Sequence, residues 1–174
     1  MAIKALSFPQ AIQATQSLMD KIKHEQLDEK RIEKEVANIV NSKRGGRGFF
    51  VSYLTSNLSI ADNPSVGIIN GLRTSTKVVS ELLVKNLAMS SAMAVTHLNN
   101  NDLVNFQLSQ QVSRRTSNII QKIQLDLIEK ELKKLKHTIL TGKGDYTNFL
   151  ERWNYNCAQK QAIYKAILYT IKEK

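Results

Sequence analysis

Cysteine and proline are almost missing from this chain of 174 residues. The one cysteine, Cys157, excludes an internal disulfide and any metal site built from several thiolates, so the fold needs no oxidising compartment. Two prolines, Pro9 and Pro64, leave little room for a loop-rich fold. The three histidines, His24, His97 and His137, are far apart and show neither His-x-x-x-His nor Glu-x-x-His spacing. A structural or surface role is expected for each, and no metal. Gly142-Lys143-Gly144 lacks the earlier glycine and the following Ser/Thr of a phosphate loop and reads as a helix-ending turn. No Gly-x-Ser-x-Gly elbow occurs, and no carboxylate pair stands alone in apolar surroundings. Nothing therefore points to an enzyme, and no cofactor is expected. The first residues hold no apolar core long enough for a signal peptide, which makes a cytoplasmic protein the expectation.

What the chain does have is an apolar segment, Ser75 to Leu98. Val78, Val79, Leu82, Leu83, Val84, Leu87, Ala88, Met89, Ala92, Met93, Ala94, Val95 and Leu98 cover nearly the whole circumference of a helix. A helix apolar all round is one wrapped by others. Glu81, Lys85, Asn86, Ser90, Ser91 and Thr96 interrupt the run, so it falls short of the roughly 18 uninterrupted apolar residues of a membrane span.

Start and stop signals divide the remainder. Ser7-x-x-Gln10 has the capping-box pattern, and Asp28 is a cap for a second helix carrying Ile32, Val36, Ile39 and Val40. Asn41 to Gly46 is expected to end that helix with basic residues and a glycine. Residues 47–57 have strand propensity at Phe49, Phe50, Val51 and Tyr53, yet Phe50, Leu54 and Leu58 keep helical spacing; with helices on both sides, helix is expected. Asp62-Asn63-Pro64 looks like a cap followed by proline at the first helical position. The polar turn Asn99–Asp102 supplies the next cap, and after it one stripe runs from Val112 to Ile139, shifting slightly round the helix at Ile128. One long helix over 102–141 is expected, with any kink at 109–117. Asn156-x-x-Gln159 caps the last helix. The expected fold is a single all-α domain, residues 1–174, with five to seven helices bundled round a buried central helix at about 75–98.

The net charge is +10, from 25 basic and 15 acidic residues. The excess is spread out: +3 over residues 1–58, +1 over 59–101, +3 over 102–142 and +3 over 143–174. Such a protein is attracted to an acidic protein surface, to nucleic acid or to an anionic membrane surface. The densest basic run is Lys43-Arg44-Gly45-Gly46-Arg47-Gly48, where glycines could turn backbone N–H groups towards an anion while Lys43, Arg44 and Arg47 supply charge. The competing reading is a helix end followed by core aromatics. Arg114-Arg115 forms a second basic spot, otherwise a solvated face. Tyr146, Trp153 and Tyr155, with Phe149, form either a satellite cluster or an aromatic edge open to a partner.

Arg47-Gly48-Phe49-Phe50-Val51, the run Glu81 to Ser90, and Phe149-Leu150-Glu151-Arg152-Trp153 resemble conserved hypothetical proteins of cyanobacteria and plastids. The resemblance covers roughly residues 45–165 and implies only a compartment: cytoplasm, or the surface of an internal membrane. The preferred functional expectation is a non-catalytic, basic helical interaction module that docks on an acidic macromolecular surface as an assembly or regulatory factor. The alternatives are a nucleic-acid-binding protein using Lys43, Arg44, Arg47, Arg114 and Arg115, and a small-ligand-binding bundle or enzyme. The sequence leaves homo-oligomerisation open and suggests no transmembrane segment.

Overall fold

In the computed structural model, which describes residues 5–172, the Ser7 hydroxyl accepts from the Gln10 N–H (3.4 Å) while the Gln10 carboxamide accepts from the Ser7 N–H (3.0 Å). This capping box starts α1, Phe8–Lys23. The stretch read for a leader begins outside the described residues. Asp28 accepts from the Arg31 N–H at 2.8 Å and starts α2, Glu29–Val40. The chain divides into two compact units, residues 1–82 and 83–174.

In the first unit the glycine-rich run departs from expectation. It does not end α2 as a loop; it opens α3, Lys43–Thr55. Ser42 is the cap, its hydroxyl accepting from the Gly45 N–H at 3.1 Å, so only Asn41 and Ser42 separate the two helices. Glycine normally weakens a helix, but here its missing side chain is what permits packing. A Cβ on Gly48 would lie 2.5 Å from the Ala11 Cβ, and one on Gly46 would lie 2.7 Å from Leu82 Cδ1. Residues 47–55 are helical as expected. Phe49 stacks on Tyr53 (5.3 Å between ring centres, 12°) and meets Phe50 edge-on, and all three are buried.

A 3₁₀ turn, Ser59–Asp62, then takes the place where Asp62 and Pro64 were expected to begin a helix. The cap is Ser65 instead, and α4 is Val66–Arg73. The Glu29 carboxylate at the start of α2 accepts from the Ser65 hydroxyl (2.9 Å) and from the Gly67 N–H. A negative side chain thus sits on the positive end of α4 and ties it to α2. In this unit α1 packs mainly on α3, and α2 on α4.

The unit boundary falls inside α5, Thr76–Asn99. Val79, Leu82, Leu83, Val84, Leu87, Ala88 and Ala92 are buried, each contributing at most about 3 kcal/mol. The last turns differ from the expectation of burial throughout, since Met93 and Leu98 are exposed. By length and composition α5 could cross a membrane, at a mean hydropathy of 1.3; 56% of that window is buried inside the protein, as in a core helix.

In the second unit a Schellman-type turn closes α5, with Asn101 left-handed (φ 57°) and the Asp102 N–H donating to the His97 carbonyl at 2.9 Å. Asp102 also caps α6, Leu103–Ile123, accepting from the Asn105 N–H at 3.1 Å. The single long helix expected over 102–141 is two helices. The first passes through 109–117 without a break; the interruption comes at Gln124, whose φ of 51° is left-handed, and α7 is Asp126–Thr141. Gly142 ends α7 as expected, α8 is Thr147–Arg152, and α9 is Cys157–Ile171 behind the Asn156–Gln159 capping box. Here α9 packs on α6 and α7. The Thr170 and Ser117 hydroxyls bond at 2.9 Å, both buried, and the Gln121 amide donates to the Tyr169 and Thr170 carbonyls at the end of α9. The fold is all-α, with nine α-helices and no strand among the described residues, more helices than the five to seven expected.

Candidate interaction surface

Three sequence candidates lie on α3, and the helix decides their roles. Lys43 is at its first position, where its ammonium meets the Glu81 carboxylate of α5 at 2.7 Å. Arg44 is exposed, and among the described residues no carboxylate pairs with it. Arg47, one turn on and also exposed, lies over the Phe8 ring of α1 at 5.5 Å, a cation–π contact that steadies the guanidinium without neutralising it. The first turn of α3 contains no acidic residue. Arg44 and Arg47 therefore add two cations to the positive end of the helix dipole. The opposite side of the helix is held by buried Gly45, Gly46, Phe49 and Phe50, so the basic turn is presented by a fixed backbone. It is not the anion-cradling loop that glycine suggested.

Arg114 and Arg115 belong to the second unit and do not act as a pair. Arg114 is exposed, but Arg115 is only 3% exposed. Buried in the same turns as Thr116 and Ser117, Arg115 cannot offer its charge to a partner.

The aromatic group divides in a similar way. Tyr146 and Tyr155 are buried on either side of Phe149, with edge-on contacts of 6.1 and 6.2 Å between ring centres. The Tyr146 hydroxyl donates to Glu131 at 2.8 Å, and burial pushes the Tyr155 hydroxyl up to about 12. Only Trp153 of the three named residues faces solvent, at 50% exposure. The group is a satellite core with one projecting ring.

Along α7 a shallow depression of about 790 Å³ is lined by Asp126, Glu129, Lys130, Lys133, Lys134 and His137. Its charges are largely answered within the protein. Lys133 pairs with Glu129 at 2.6 Å, and Lys134 reaches both Glu131 (2.9 Å) and Asp145 (3.1 Å). The hydrogen bonds to Glu131 and then Asp145 hold the Lys134 ammonium above its ordinary range. No group of three or more His, Cys, Asp or Glu placed to hold a metal occurs among the described residues.

One feature escaped the sequence reading. Leu103, Val104 and Leu108 at the start of α6 are exposed, as is Leu98 at the end of α5. The signal that could have found them is a gap in charge: between Lys85 and Arg114 the only formally charged residue is Asp102.

The model of a family described as "Uncharacterised conserved protein UCP020893" matches residues 7–170. The chain belongs to that family. No curated protein and no solved structure matches it.

Proposed function

We propose that this member of the family is a non-catalytic, basic helical interaction module that docks on an acidic macromolecular surface. The observation that supports the reading is the pair of exposed guanidinium groups, Arg44 and Arg47, one turn apart on a rigid helix start whose first turn itself contains no acidic residue and beside which the Glu81 carboxylate is taken by Lys43. Guanidinium forks bond carboxylates two at a time, so two of them on a fixed frame favour a surface rich in Asp and Glu. The net charge of +10 would speed the encounter. Nucleic acid is the alternative, weakened by the burial of Arg115, which removes one of its five proposed contacts. The resemblance to cyanobacterial and plastid proteins supports a place in the cytoplasm or on the surface of an internal membrane.

The test uses the full chain, immobilised and exposed to an extract of its native source. An acidic partner is captured at low salt, elutes as salt rises, and is lost with Arg44→Glu/Arg47→Glu. Capture that survives both charge reversals overturns the reading. A gel shift with oligonucleotides that weakens steeply with salt, at about one released counterion per phosphate contact, would transfer it to nucleic acid.

A further inference from the structure

We propose that the apolar end of the α5–α6 hairpin, formed by Leu98, Leu103, Val104 and Leu108, is the docking surface for a second copy of this chain. Val104 is 77% exposed, Leu103 60%, Leu98 50% and Leu108 38%. Leu98 and Leu103 flank the tight Asn99–Asp102 turn, and Val104 and Leu108 are one turn apart on α6, so the four gather at one end of the hairpin.

Charge identifies the occupant. In a chain where 23% of residues are charged, residues 86–113 carry a single formal charge, Asp102. That carboxylate is engaged by the Asn105 amide at 2.7 Å and by the Asn105 N–H that it caps. An acidic protein or a nucleic acid gains nothing electrostatic from this surface and is drawn to the basic faces instead. An anionic membrane would require lysine or arginine beside the apolar side chains, and residues 86–113 have neither. A second copy has the opposite requirement. Two molecules of charge +10 repel, and the repulsion is smallest where neither brings cations to the interface.

The polar rim fits the same occupant. Asn99, Asn100, Asn105, Gln107 and Gln110 are exposed round the leucines. A two-fold interface must complement itself, each patch meeting an identical patch. Carboxamides do so, because each both donates and accepts; ammonium groups do not.

Sedimentation equilibrium of the full chain across the micromolar range tests the proposal. A species of twice 19.7 kDa is expected, and Val104→Lys should weaken it at least about tenfold. Leu103→Ser/Val104→Ser, milder and on the same exposed turn, should act in the same direction with unchanged circular dichroism. Val66→Ser, which removes an exposed apolar residue (68%) of α4, should leave association intact. Added salt should preserve or strengthen the dimer by screening the repulsion, the reverse of its effect on binding through Arg44 and Arg47. A monomer at every concentration overturns the proposal. So does a dimer indifferent to both Val104 variants, or flotation with anionic vesicles that depends on Val104.

Discussion

The first unit keeps five glycines, Gly45, Gly46, Gly48, Gly67 and Gly71, all inside helices and all buried. The second keeps two, Gly142 and Gly144, both in one exposed turn and both with positive φ. The same residue type thus does two jobs. In the first unit it lets one helix backbone lie against another element, with the Glu29 carboxylate locking α2 to α4. In the second it lets the chain adopt a conformation denied to most side chains, while the helices are joined by small hydroxyl side chains such as Thr170 and Ser117. Glycine in the first unit is a matter of space, and in the second a matter of backbone angle.

Asparagine separates the two cases, because it tolerates the left-handed region but takes up room. At Gly71 a Cβ would lie 2.6 Å from the Val36 Cβ and 2.7 Å from the Glu33 carbonyl oxygen. Gly71→Val should cost about 3 kcal/mol, the upper range for overpacking, with Gly71→Asn also strongly destabilising. At Gly142 nothing lies within 4 Å of an added Cβ, but φ is +76°. Gly142→Ala should cost about 1 kcal/mol from backbone strain alone, and Gly142→Asn less than about half of that. Urea midpoints measure all four. If Asn proves equally harmful at both positions, space and angle are not the distinction between the units.

The hydroxyl side of the comparison carries a smaller effect. Thr170→Val keeps the shape of the side chain but leaves the buried Ser117 hydroxyl without its partner, at a cost of about 1–2 kcal/mol. Ser117→Ala added to it should recover part of the loss, since no stranded polar group then remains. A double variant as unstable as the sum of the singles would show that the two hydroxyls are not coupled.

Much of this architecture is legible in the sequence wherever a local device sets it. Ser7 with Gln10, Asp28, Asp102, Asn156 with Gln159, and Gly142 all act where their patterns place them. Ser42 was hidden because the glycines beside it carry the stronger stop signal, and only the closeness of Ala11 and Leu82 makes glycine right inside that helix. The break at Gln124 has no propensity signature, since glutamine rarely adopts positive φ. Its trace is the five-residue step from Ile123 to Ile128, both buried, which a continuous helix face does not accommodate. At the candidate surface, the charges of Lys43, Arg44 and Arg47 could be read, but not which of them stays unanswered. Lys43 meets Glu81 from 38 positions away, and Arg115 is withdrawn by packing.

The pairing on α7 and its following turn gives the smallest effect, and it belongs to the second unit alone. Burial pushes the Glu131 carboxyl up, but the Lys134 and Tyr146 hydrogen bonds together outweigh it, and the group titrates below its ordinary 4.5. The folded chain therefore holds this proton less readily than the unfolded chain. Its contribution to stability is complete above about pH 4.5 and is lost as pH falls through the lower folded value. Glu131→Gln should reduce stability slightly at neutral pH and flatten the acid limb of the stability profile. Tyr146→Phe should do part of the same, by removing one of the two bonds that lower the carboxyl. Gly71→Ala, in the first unit, should lower the whole profile without changing its slope. A Glu131→Gln variant whose acid limb is as steep as the parent's would mean that the carboxylate is not what couples this turn to pH.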